Sequence, residues 1–285
     1  MSTLPPQQVA GLLDALVDDA AVFPPGDASV PEAVQAHRRH RASWYADTVG
    51  PLLVRASQVP ALLAATRAGE DLAVALVADT GLAGLVEGVG GLAAAGDRAR
   101  LVQVEIALPP GHDPGPAATA LVAQLALSVV TYVEVPGSGY EPALDVLAAD
   151  GAERAKYRTG ATAASAAPKA ADLAGFVRAA LDRRLPFKLT AGLHRAQADN
   201  EQHGFLNVLA AVAAGTDGAS TRELAGVLAE TALAPLLDVL AGASIAAVRG
   251  AFVSFGCCGV TDPVGDLVAL GLLDPAHDGG SARWP

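Results

Sequence analysis

The chain has 285 residues, 52% apolar and 17% charged, with two cysteines, which excludes a disordered chain and a disulfide scaffold and suits one large α/β domain. Nineteen basic against thirty acidic residues give a formal charge of −11, a field that repels phosphate backbones and anionic surfaces, so neither nucleic acid nor a membrane is expected as a partner. Residues 1–19 lack a basic n-region, no apolar run reaches the ~18 residues that span a bilayer, and adjacent Cys257 and Cys258 have poor geometry for pairing, so a reducing cytoplasm is the expected location.

Short β-branched runs bounded by Gly or Pro predict eight strands, with helical spacing between them. Strand one is expected at 20–23, followed by a helix at 31–40 opened by Ser29-Val30-Pro31, where the missing proline amide hydrogen costs nothing. Strand two at 51–56 leads to a helix at 59–68, and strand three at 72–78 precedes the glycine cluster 88–91, which reads as a plain turn. Strand four at 101–108 is followed by a helix at 116–125, strand five at 128–135 by one at 142–149, and strand six at 154–158 by one at 170–181. Strand seven at 186–190 opens the longest departure, 194–250, expected to hold an extra helix at 204–214 beside the regular one at 224–240. Strand eight falls at 251–255.

Eight strands alternating with helices match an α/β fold of the (β/α)8 barrel type, a TIM barrel of typically ~250 residues. A single domain over 1–275 is expected, with 276–285 as a flexible tail. A doubly wound sheet would place a Gly-rich fingerprint after its first strand, and Phe23-Pro24-Pro25-Gly26-Asp27 is not one. In a barrel the loops after the strands build the site, so the extra chain after strand seven is expected to form a lid or substrate wall, bringing His194 or His203 to the ligand.

Polar residues inside otherwise apolar strands carry the chemistry: Asp18, Arg55, Glu105, Glu134, Lys156, Arg158 and Lys188. Alternation puts Lys156 and Arg158 on one face and Tyr157 on the other. Buried lysines are rare unless paired. Two readings follow. Glu105 and Glu134 can neutralise the cations as a structural layer. Alternatively, a lysine in an apolar pocket beside a second cation has its neutral, nucleophilic form favoured, which with a carboxylate makes Schiff-base equipment.

The segment Lys156-Tyr157-Arg158-Thr159-Gly160, followed by Phe187-Lys188-Leu189-Thr190-Ala191-Gly192-Leu193-His194, resembles the sixth and seventh strands of the deoxyribose-phosphate aldolases. The stretch from Val17 to Pro24 is similar to that family's opening strand, and Phe255-Gly256-Cys257-Cys258 to its last. The resemblance implies a barrel in which Lys156 is the Schiff-base nucleophile, Lys188 the neighbour that lowers its pKa, Glu105 the proton relay where the family has Asp, and Asp18 a residue shaping the site. Amides at Gly160, Gly192 and Gly256 would bind an anion. Here His194 stands where the family has an arginine, and Cys257-Cys258 where it has a serine pair. Arg158 is an addition, suited to clamp a substrate carboxylate, and Glu134 is a further expected substrate-binding residue.

The expectation is therefore an aldolase or lyase acting on a small carbonyl compound, carboxylated or unphosphorylated, with no cofactor; a homo-oligomer is compatible with this reading. Two other classes stay open: a metal-dependent isomerase or hydro-lyase built on Glu105, Glu134 and His194 with His203, for which no HxH or HExxH spacing is present, and a barrel that only binds a small anion.

Overall fold

The computed structural model describes residues 4–125, 127–163, 165–199 and 201–275. Eight parallel strands close in chain order: β1 Val17–Asp19, β2 Val49–Arg55, β3 Leu72–Val77, β4 Ala99–Ala107, β5 Val130–Glu134, β6 Glu153–Arg158, β7 Phe187–Thr190 and β8 Phe252–Cys257, which returns to β1. The helices outside them are α1 Pro6–Leu13, α2 Val30–Arg41, α3 Val59–Ala65, α4 Gly81–Ala94, α5 Pro114–Val122, α6 Glu141–Asp150 and α7 Ala170–Asp182. Then α8 Phe205–Thr216, α9 Thr221–Leu228, α10 Leu233–Ala241 and α11 Ile245–Ala251 fill the span before β8, and α12 Thr261–Ala269 follows it. The fold is the expected (β/α)8 barrel with a helical insertion after β7. Barrels of this kind commonly carry enzymes.

Tyr157 stacks on Phe176 of α7 with ring centroids 4.3 Å apart, and Phe255 stacks on Phe205 of α8 at 5.3 Å. These rings bind strands to helices on the outside, and strand alternation then turns Lys156, Arg158, Ser254 and Gly256 into the barrel.

Three predicted elements are corrected. The first strand is Val17–Asp19, and 20–23 is a turn closed by a bond from Phe23 N to Ala20 O at 2.8 Å. Its two aspartates disguised it: Asp18 is buried inside the barrel and Asp19 is buried against His37, Nδ1 to Oδ2 3.0 Å. The glycines at 88–91 lie within α4, where a side chain at Gly88 would come 3.1 Å from Ala56 O; their smallness lets α4 approach the end of β2. The helix at 224–240 is divided into α9 and α10. The expected tail at 276–285 lies outside the described residues.

Asn207 explains that division. It is fully buried on α8, accepts from Ala198 N at 2.8 Å, and donates to Val227 O at 2.9 Å and Glu230 O at 2.7 Å. One side chain thus pins the loop after β7 and satisfies carbonyls at the end of α9. Asn207→Ala removes the acceptor of the buried Ala198 N and one donor each from Val227 O and Glu230 O, and is expected to cost about 1–3 kcal/mol by urea unfolding. Among the described residues no single helix is long and apolar enough to cross a membrane.

Candidate active site at the barrel mouth

Six side chains form a line of alternating charge across the barrel: Asp18, Lys188, Glu105, Lys156, Glu134 and Arg158. The fully buried Lys188 ammonium pairs with both Asp18 and Glu105. Lys156, its register neighbour on β6, lies 2.6 Å from Glu105 Oε2 and 2.9 Å from Glu134 Oε2. Arg158 Nε closes the line 3.1 Å from Glu134 Oε1. Exposure of these side chains rises along it: 0% at Lys188, 5% at Lys156, 18% at Glu134 and 39% at Arg158. Arg158 is also two residues nearer the carboxyl end of β6, so the line climbs from a sealed interior to the open mouth.

The supporting groups share this inward face. Gln103, two residues before Glu105, donates to Asp18 Oδ2 at 3.1 Å, and Ser254, two before Gly256, donates to the same oxygen at 3.0 Å. The Tyr132 ring lies 5.2 Å from Lys188 Nζ, in cation–π range. Gln103, Ser254 and Tyr132 were not among the expected site residues, although their spacing of two from inward positions is a signal the sequence carries. Gly50 has a tight role, because a Cβ there would fall 2.2 Å from Asp18 Oδ1. Gly50→Ala is accordingly expected to push Asp18 off Lys188 and to cost about 2–4 kcal/mol in denaturant unfolding, with Ser254→Ala, which removes one donor only, costing less.

Electrostatics follow the geometry. Burial works to raise the Glu105 carboxyl, but the Lys156 and Lys188 ammonium groups outweigh it and hold Glu105 down to about 2. Burial raises Asp18 despite the opposing Lys188. Glu134 is lowered, with Lys156 and Arg158 overcoming its burial. Burial works to discharge both lysines, yet for Lys156 the Glu105 and Glu134 carboxylates reverse this, and for Lys188 Asp18 and Glu105 do, so both stand above the usual lysine range. The expectation that Lys188 lowers the Lys156 pKa is therefore corrected. Glu105 bridges the two lysines, so each cation meets a carboxylate before it meets the other.

The remaining expected residues fall as follows. The turns after β6 and β7 cross at Gly160 and Gly192: a Cβ at Gly160 would lie 2.8 Å from Ala191 Cβ, and Gly192 has φ +76°, a left-handed conformation that favours glycine. Gly256 has room for a Cβ, which would meet Thr190 Oγ1 at 3.6 Å, so packing alone does not demand glycine there. His203 Nε2 is 2.8 Å from Pro168 O, which ties the loop after β7 to the one after β6. Arg55 donates to Val22 O at 3.0 Å and covers the Phe23 ring, propping the turn after β1.

At the rim His194 meets three groups: Asp262 Oδ2 lies 3.0 Å from Nδ1, Cys257 Sγ 3.5 Å from Nδ1 and Cys258 Sγ 3.6 Å from Nε2. Hydrogen bonds to Cys257 and Cys258, and then to Asp262, push its pKa up to about 11 against its burial. Cys257 is buried and donates to Gly259 O at 3.3 Å, so it is not placed to reach a ligand as expected. Among the described residues no three histidine, cysteine or acidic side chains form a metal-holding group; Lys156 stands between Glu105 and Glu134, and His194 is held by the rim.

A cavity of about 580 Å³ opens at the opposite end, lined by Arg38, Arg41, Glu70, Asp71 and Arg100. Its cations are already taken: Arg38 by Glu70, Arg100 by Asp71, and Arg41 by the carbonyls of Ala46 and Val49. That end of a barrel serves stability. Comparison of the chain with known protein families, with curated proteins and with solved structures found no match.

Proposed function

We propose that this barrel is a Schiff-base-forming lyase or aldolase that acts on a small carbonyl compound, carboxylated or unphosphorylated, without a cofactor, with Lys156 as nucleophile. The reading is supported above all by the graded line of charges. Lys188 is sealed between two carboxylates, whereas Lys156 is the next amine toward the mouth and the one with an edge open to solvent. The convergence of Asp18, Glu105, Lys156 and Lys188 in one barrel interior also fits the resemblance to the deoxyribose-phosphate aldolases.

Lys156 rests as an ammonium, so the reaction begins with a proton leaving it. Glu134 is the acceptor nearer solvent, and Arg158 beside it is a permanent cation that can take a substrate carboxylate. The freed amine attacks the carbonyl carbon: the N–C bond forms, the C=O π pair moves to oxygen, and that oxygen takes the proton from Glu134. Loss of water from the carbinolamine gives an iminium. Cleavage of the adjacent C–C bond sends its electron pair into the enamine, while a carboxylate, Glu105 directly or through water, takes the hydroxyl proton of the departing aldehyde. Lys188 holds Glu105 in place and keeps it ionised until that proton arrives.

Sodium borohydride with a panel of aldehydes and keto acids tests the reading. Wild-type protein should gain a stable reduced adduct, and a wild type left unmodified across the panel overturns the proposal in favour of a barrel whose ion pairs are structural and which only binds an anion. Arg158→Lys is expected to raise KM for keto acids about tenfold to a hundredfold, the loss of a charge-assisted bond of ~1.5–3 kcal/mol, and to leave KM for uncharged aldehydes unchanged.

A further inference from the structure

The rim cluster has a geometry that the Lys156 chemistry does not use. His194 follows β7, Cys258 follows β8, and Asp262 is on the first turn of α12, so three separate segments converge on one imidazole. A ring nitrogen carries one hydrogen, and the 3.0 Å contact to Asp262 Oδ2 is the shortest at Nδ1. That leaves Nε2 facing Cys258 Sγ at 3.6 Å, an ordinary separation for a sulfur bond and the arrangement in which a carboxylate orients an imidazole toward a nucleophile. Cys257 lies against the other nitrogen and donates to Gly259 O. The two sulfurs thus sit on opposite sides of the ring and differ in access, Cys257 buried and Cys258 half-buried. Arg195, next to His194 in the chain, is paired with Asp266 at 3.2 Å.

We propose that Cys258, His194 and Asp262 form a second reactive centre, in which the Cys258 sulfur adds reversibly to small aldehydes. In this pair the thiol proton rests on His194 Nε2, and the sulfur attacks the carbonyl carbon as the anion. The S–C bond forms, the C=O π pair moves to oxygen, and the imidazolium returns its proton to that oxygen, giving a hemithioacetal. No other reactant is consumed. Asp262 keeps the ring in register and stabilises its charge. This centre does not rest on Lys156.

The test uses the full, reduced chain. Iodoacetamide at about pH 6.5 should modify Cys258 ahead of Cys257 by peptide mapping, and Cys258→Ser should abolish the fast phase. His194→Gln should slow it on the order of a hundredfold, the usual worth of a positioned base, with the rate recovering toward wild type as pH rises and hydroxide replaces the imidazole. Should His194→Gln fail to fold, Asp262→Asn carries the same test with a smaller slowing. In the Lys156→Ala background, carbon-13-labelled acetaldehyde should give a protein-bound sp³ hemithioacetal resonance, separate from that of the free aldehyde hydrate, that Cys258→Ser removes. Superimposable pH–rate profiles for wild type and His194→Gln, or preferential modification of Cys257, overturn the activated thiol. Fast alkylation without the sp³ resonance overturns the aldehyde assignment. A failed borohydride experiment with both of these intact would touch only the Lys156 reading.

Discussion

Lys156→Ala is expected to lose all of the borohydride-trapped mass and at least about a thousandfold in carbonyl turnover, the largest functional change of any single substitution in this barrel. The reason is that no other amine in the line can take its place: Lys188 is sealed and doubly paired. Lys156→Arg should be equally inert, since a guanidinium is never deprotonated in this range. The wild-type rate carries its own signature. An amine held above its ordinary ~10.4 is neutral in fewer than roughly one molecule in two thousand at pH 7, so trapping at saturating carbonyl should rise close to tenfold per pH unit through the alkaline range. Lys188→Met frees Glu105 to hold the Lys156 ammonium more tightly, and should label more slowly, with the same climb at higher pH. Peptide mapping of the reduced adduct decides the roles, and mass confined to Lys188 would mean that they are reversed.

The same Lys188→Met substitution should produce the largest loss of stability, about 3–5 kcal/mol at neutral pH, because it leaves Asp18 and Glu105 as buried carboxylates with their shared cation gone. The pH dependence is the check that separates charge from shape. In the wild type Glu105 is depressed to about 2 in the folded state, against ~4.3 unfolded. Its contribution is therefore present above the unfolded value and lost as pH falls from there through about 2. Lys188 is raised, so its contribution is complete below the unfolded lysine value and lost as pH climbs above it. In Lys188→Met Glu105 keeps Lys156, but Asp18, already raised by its burial, loses the cation that opposed this and takes a proton on folding, so the deficit should shrink as the pH is lowered from about 8 to 5. Denaturant unfolding of the two proteins across that range measures it. A constant deficit would assign the loss to packing, and a midpoint equal to wild type would remove the ion pairs from the stability of the fold.

Particular residues show why some of this was legible in sequence. Val104-Glu105-Ile106 and Ala155-Lys156-Tyr157 place one charge in an apolar strand, and a period of two with buried neighbours allows that charge only one direction, inward. Gln103 and Ser254 carry the same period, but without a charge they do not stand out in the sequence. Asp18 and Asp19 make β1 look like a loop in the sequence; Lys188, Gln103 and Ser254 on one side and His37 on the other explain two buried acids in succession. The glycines of α4 read as a turn because glycine is a poor helix former, a local preference overruled by the close approach to Ala56.

By itself the sequence determined the alternation of strand and helix, the inward direction of Glu105, Glu134, Lys156, Arg158 and Lys188, and the excess of chain after strand seven. These are near-neighbour properties, set by backbone periodicity and by which side chains a strand can hide. Only the tertiary structure decided which charge neutralises which, that Glu105 stands between the two lysines, and that His194 turns one nitrogen to Asp262 and the other to Cys258. Coulomb interactions and hydrogen bonds depend on separations of a few ångströms between residues on different strands, and those separations exist only once β8 has closed against β1.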